Sequence, residues 1–173
     1  MEIESTRLAL RPLSRGELHE LLTGAPPVLA GVNTASLSLS PVQQRAIRIK
    51  MDKLKKAAPS EAEWHTYWLI IRSKDRTAMG LAGFKGLGAD GSAEIGYGIT
   101  PRLREQGYMK EAVMRLLQWA EATGACRLIT AAGIDKENTA SRRLLQCCGF
   151  HPSAETRQRV SYVLPLRKVS ASL

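Results

Sequence analysis

Between Thr6 and Leu13 the chain alternates, with Leu8 and Leu10 set against Arg7, Ala9 and Arg11. A period of two predicts a first β-strand, with Pro12 near its end. Ser14-Arg-Gly-Glu17 has the spacing of a capping box and opens a short helix that closes before Gly24. From Ala25 to Ser40 the chain is rich in Pro, Gly, Ser and Thr, which predicts loop or irregular helix. Ser40-Pro41-Val42-Gln43 is a second helix start: a cap, a proline in the first turn, a glutamine three residues on. That helix is expected to run to about Ala58. Val42, Ala46, Ile47, Ile49, Met51 and Leu54 form a loose apolar stripe, and Arg45, Arg48, Lys50, Lys53, Lys55 and Lys56 make the rest basic.

Trp64 to Arg72 is dense in aromatic and branched residues and predicts a strand. Thr77–Gly86 and Ala93–Ile99 follow as two more, joined around Ala89-Asp90-Gly91 as a hairpin. After Gly107, Met109, Ala112, Val113, Leu116, Leu117 and Ala120 recur at helical spacing up to Gly124. A strand Arg127–Ala132, a helix Thr139–Cys148 ending at Gly149, and strands Phe150–Ala154 and Arg159–Leu166 complete the pattern, with residues 165–173 expected as a frayed tail. This order predicts an α+β fold: one mixed sheet flanked by helices, in a single domain over residues 1–173.

The length of 173 residues suits one core. With aromatics at 5%, no stacking platform for single-stranded nucleic acid shows in the composition. A net charge of +9 suits an anionic ligand, an acidic partner or nucleic acid without choosing among them. Cys126, Cys147 and Cys148 are odd in number and two are adjacent, a poor disulfide framework. No zinc spacing, secretory leader or membrane-spanning run is visible, so a reducing cytoplasm and a metal-free site are the expectation.

The chemistry concentrates at Ile99–Ala112. An apolar run bearing glycines, Glu94-Ile-Gly-Tyr-Gly-Ile99, meets a linker with Arg102, Arg104, Gln106 and Gly107, then a helix. A helix start leaves backbone N–H groups unpaired, and with the helix dipole they make a seat for phosphate. An ordinary loop before a helix would read the same way. In the strand, Ile95, Tyr97 and Ile99 share one face, and Glu94, Gly96 and Gly98 the other. A glycine face admits a close neighbour, or marks a bulge.

Four motifs in order resemble the GNAT superfamily of acetyl-CoA-dependent N-acetyltransferases, its RimJ/RimL-like branch in particular. They are Thr6-Arg-Leu-Ala-Leu-Arg-Pro12, Glu94-Ile-Gly-Tyr97, Arg104-x-x-Gly-Tyr-Met109 with Glu111-Ala112, and Asn138-x-x-Ser141 leading to Gly149-Phe150. The resemblance implies acetyl transfer from acetyl-CoA to a primary amine by direct attack. The acceptor would be a protein N-terminal α-amine; a small amine such as an antibiotic, polyamine or amino acid, or a CoA-binding module without catalysis, are the alternatives. It implies that Arg104, Glu105, Gln106, Gly107, Tyr108 and Met109 seat the pyrophosphate, that Tyr97, Gly98 and Ile99 pair with the pantetheine arm, and that Asn138 and Ser141 also hold the cofactor. Met109 stands where the family prefers a small residue, so its side chain must point away from the cofactor.

An amine is protonated at neutral pH and needs a base; the resemblance gives that role to Glu94, which also reads as a solvated or salt-bridged strand residue. Many members carry a tyrosine seven residues after the asparagine as general acid. Here that position is Leu145, which leaves Ser141 or water to protonate the thiolate. Asn138 also reads as a plain helix cap. His19, His65 and His151 read as structural or exposed, and the cysteines as small core residues. The basic helix is either a solvated face or a guide for an acidic substrate or ribosomal RNA. A monomer or homodimer is expected.

Overall fold

In the computed structural model, which describes residues 1–23, 29 and 31–167, eight strands form one sheet. They are Ile3–Glu4 (β1), Leu8–Pro12 (β2), Tyr67–Arg72 (β3), Thr77–Leu87 (β4), Ser92–Ile99 (β5), Leu128–Asp135 (β6), His151–Glu155 (β7) and Arg159–Pro165 (β8). The spatial order is β1-β2-β3-β4-β5-β6-β8-β7. Every neighbouring pair is antiparallel except β5 and β6, so a crossover helix must join those two. The helices are Arg15–Thr23 (α1), Pro41–Leu54 (α2), Ala62–His65 (α3), Tyr108–Thr123 (α4) and Thr139–Cys147 (α5), and α4 is that crossover.

Strand alternation sorts side chains onto two faces. Leu8, Leu10, Trp68, Ile70, Ala82, Phe84, Ile95 and Ile129 meet α4 and α5 on one side. Ala9, Leu69, Ile71, Ala78 and Leu81 meet α1 and α2 on the other, around Leu18 and Ile47. The six apolar positions of α4 read from its spacing are all buried. Where Ile70 and Ile71 of β3 pair with Gly80 and Ala78 of β4, the register slips and Met79 is left over. That bulge flips the phase of β4, so Met79 joins the α4 side.

Three expectations are corrected, and one strand is added. Trp64 belongs to α3, not to a strand: it packs on Phe84 and Trp119 at centroid distances of 4.9 and 4.7 Å, and this contact overrides its β-propensity. Helix α2 stops at Leu54, because Pro59 forces Ala58 into an extended conformation (ψ 146°) and the last turn closes on Lys53 O. Residues 165–167 are not frayed: Leu166 N–H donates to Arg127 O at 2.9 Å and Arg167 N–H to Glu121 Oε1 at 3.1 Å. Strand β1 goes unread because two residues carry no period. The helix stop at Gly24, most of the loop expected before Asn33, and the tail beyond Arg167 lie outside the described residues.

Lys50 is buried between α2 and the sheet, where its Nζ donates to Thr66 O at 3.2 Å and to Phe84 O and sits 4.5 Å above the Tyr67 ring. Burial, and then the nearby Lys53 and Lys85 charges, push its pKa down to about 7. The sign follows. Below pH 7 the folded protein must carry the buried charge; between pH 7 and the unfolded value near 10.5 only the unfolded chain is protonated, so stability rises with pH in that window. Urea denaturation at pH 6.5 and 9.5 is expected to show a gain of about 1–3 kcal/mol from this residue, absent in Lys50→Met.

Candidate active site

Strands β5 and β6 pair only at Ser92↔Leu128, Ala93↔Ile129 and Glu94↔Thr130. Beyond Glu94 they part, and the β6-facing edge of Ile95–Ile99 has no strand partner. The result is a wedge-shaped opening whose apex is Glu94, with Ile99 about 17 Å away along the extended strand.

At the wide end the chain turns sharply. Thr100 is tied back to Met79 O at 2.8 Å, a 3-10 turn spans Pro101–Leu103, and Glu105 and Gly107 take left-handed φ values of 61° and 78°. Glycine accepts that geometry freely, whereas Glu105 holds it at a cost of about 1 kcal/mol. No side chain caps α4, and its first internal bond is Glu111 N–H to Gly107 O at 3.1 Å. The N–H groups of Tyr108, Met109 and Lys110 therefore lie at the positive end of the dipole without intrahelical partners. Met109 is only 9% exposed and packs into the core, so at this position the loop presents backbone alone. Arg104, Glu105, Gln106 and Gly107 are exposed. The Arg104 N–H is already given to Pro101 O at 3.2 Å, so of Arg104 only the side chain is on offer to a ligand.

Arg7 braces this loop, which its strand alternation does not reveal. Its guanidinium donates to Gln106 O at 3.1 Å and to Glu111 Oε2 at 2.7 Å, and lies 4.5 Å over the Tyr108 ring. Its backbone N–H donates to Glu111 Oε1 at 2.7 Å, and Ser5 Oγ–H to the same oxygen at 2.8 Å. These donors hold the Glu111 carboxyl below the usual carboxylate range against the opposing effect of burial. The signal in the sequence is only that an arginine and a glutamate stand in two separate motifs.

On the α4 side of the opening, Tyr97 points inward and its buried hydroxyl has no hydrogen-bond partner. Burial pushes its pKa up, opposed by Ser141. Ser141 opens α5, where Asn138 Oδ1 accepts from Ser141 N–H at 3.1 Å as the helix cap. Leu145 is fully buried in the core and offers no acid. Burial raises the Cys126 thiol, and it drives Cys148 up to about 11, so neither holds a thiolate ready for nucleophilic attack.

On the opposite side α2 lies over Gly98 and leaves Gly96 uncovered. A Cβ on Gly98 would come 2.6 Å from Gln43 Nε2, whereas one on Gly96 would meet nothing within 4 Å. Glu94 Oε1 is paired with Lys85 Nζ at 2.5 Å. The predicted residues thus fall into three groups around one opening: the loop 104–109, the edge Tyr97–Ile99 with Glu94 at its apex, and Asn138 with Ser141. Ser141 approaches from the α5 side, and Glu94 faces α2. Among the described residues no group of three or more His, Cys, Asp or Glu side chains converges as a metal site would require.

Residues 7–151 match the Acetyltransferase (GNAT) domain family. The uncharacterized N-acetyltransferase YjdG of Bacillus subtilis is 33% identical over 92 residues, 51% of this chain and 54% of that protein, so the chain spans about half the length of this curated relative. The ribosomal L7/L12 α-N-protein acetyltransferase RimL, solved in complex with coenzyme A, is similar in fold at a TM-score of 0.66 and 17% identity, over 96% of this chain and 98% of that one. The spermidine N-acetyltransferase SpeG of Vibrio cholerae is similar at a TM-score of 0.63 and 16% identity, over 93% and 95%.

Proposed function

Because the chain belongs to the GNAT acetyltransferase family, we propose that it transfers the acetyl group of acetyl-CoA to a primary amine, the α-amine of a protein N-terminus in particular, as RimL is named for doing. The observation that carries this reading is the unpaired edge of β5, which leads from an uncapped helix N-terminus to a carboxylate. An extended amide-bearing arm pairs with such an edge as an added strand would. The free N–H groups of Tyr108, Met109 and Lys110 take its pyrophosphate, and the guanidinium of Arg104 adds charge.

Each residue then has one task. Glu94 accepts a proton from the amine, directly or through water, so that nitrogen can bond to the thioester carbon as the C–S bond breaks. Backbone N–H groups of the parted strand offer donors to the carbonyl oxygen. The departing thiolate takes a proton from the Ser141 hydroxyl or from solvent, and the Tyr97 phenol stands beside that serine. A covalent acetyl-enzyme on Cys126 or Cys148 is disfavoured by their raised thiols. The three free cysteines suit a cytoplasmic setting.

Calorimetry with CoA, followed by a thiol-release assay across peptides and small amines, tests the proposal. Absence of CoA binding would sink it. Arg7→Ala is expected to weaken CoA binding by about tenfold, through loss of loop order and charge, with little change in kcat. If it lowered kcat and left binding intact, Arg7 would not be a brace for the loop.

A further inference from the structure

Resting on the acetyl-transfer reading, we propose that the acceptor amine carries an anionic group close to its nitrogen, and that Lys85 and Lys53 receive that group as the acceptor enters. The arm of the donor takes the β5 edge, so the acceptor must reach the apex from a face. On the α4 side the core closes that approach with Tyr97, Ile95 and Ile99. On the α2 side the floor is bare: Gly96 has nothing over it, between Gln43 above Gly98 and Lys85 beside Glu94.

That passage is cationic. Lys85 Nζ reaches Glu94 Oε1 at 2.5 Å with its side chain 59% exposed, and Lys53 Nζ donates to Lys85 O at 2.5 Å. One ammonium therefore stands on the Glu94 carboxylate, and a second is held on the backbone of the same lysine. Helix α2 adds exposed Arg45 and Arg48, and its one acid, Asp52, is paired with Lys55 just past its end. A polycationic acceptor is repelled here, whereas a carboxylate or phosphate is drawn in.

The ion pair also couples recognition to chemistry. In the free protein Lys85 occupies an oxygen of Glu94. An anion on the acceptor draws the Lys85 ammonium to itself, and that oxygen becomes available to the amine proton. A neutral acceptor leaves Glu94 tied to Lys85. Charge on the acceptor is therefore read in turnover as well as in affinity.

The test is a thiol-release series on peptides identical except for a second residue of Glu, phosphoserine, Gln or Lys, with spermidine added. Expected kcat/KM falls from the acidic peptides to the Gln peptide and again to the Lys peptide, by about tenfold per step at low salt and less at high salt. The Glu and phosphoserine arms separate a carboxylate from a phosphate. Lys85→Gln is expected to level the series, by slowing the acidic peptides and quickening the Gln peptide, with KM for acetyl-CoA unchanged. A structural role alone would not quicken any acceptor. Lys55→Gln should leave the series as it is. A Lys peptide or spermidine turned over as well as the Glu peptide overturns the proposal, as does an acidic preference that survives Lys85→Gln. No turnover of any amine by protein that binds CoA overturns the acetyl-transfer reading instead, and is distinct from turnover without charge preference.

Discussion

Glu94→Gln is expected to lower kcat by about 100- to 1000-fold, with KM for acetyl-CoA near the wild-type value. The amide keeps the shape of the side chain and can still accept a hydrogen bond, but it cannot take a proton from an ammonium. Glu94 pairs with Thr130 at the last rung before β5 and β6 separate, so it lies at the closed end of the opening. Steady-state rates measured from pH 6 to 10 would show the substitution most clearly. The variant should gain rate as the amine itself loses its proton, and the gap to wild type should narrow at high pH. A pH–rate profile identical to wild type would remove Glu94 as the base.

Gly80→Ala is expected to cost about 3 kcal/mol of stability and to weaken acetyl-CoA binding by at least tenfold. A Cβ there would lie 2.3 Å from Gly98 O and 2.8 Å from Ile99 Cα. Both are backbone atoms, so a rotamer change cannot relieve the contact and β5 itself must move. The residues displaced are those whose edge the pantetheine arm would use. Urea denaturation and CoA calorimetry on the same sample check both effects. A variant that lost stability but bound CoA normally would show that β5 tolerates the shift, and would argue against an arm lying on that edge.

Much of the architecture was legible in the sequence because it follows periodicity. Alternation at Leu8 and Leu10 and the helical spacing of Met109 to Ala120 place the same residues in the core that the structure buries. The family-like motifs likewise mark the loop 104–109 and the strand from Glu94. What escaped is whatever depends on contacts between distant segments. Arg7 reads as the polar side of a strand, yet it meets Glu111 104 residues away. Gln43 reads as the second half of a capping box, which it is, and its amide also covers Gly98. Trp64 has strand-like neighbours in sequence, but its place is set by Phe84 and Trp119. The pairing of Lys85 with Glu94 arises across a bulged β4–β5 ladder, whose register no local pattern encodes.

The parting of β5 from β6 has a mechanical consequence as well as a chemical one. Strands β1 to β5 form an antiparallel run, and β6, β8 and β7 form a second. Within the sheet, three residue pairs are all that join them. The backbone contributes little at this seam, and side chains gathered around α4 bear the load between the two halves. Local opening should therefore start at the wide end of the wedge and stop at Glu94, well before the outer strands separate. A molecule bonded along the free edge of β5 would add backbone contacts where the protein has fewest, and its binding would register as resistance of the two halves to separation.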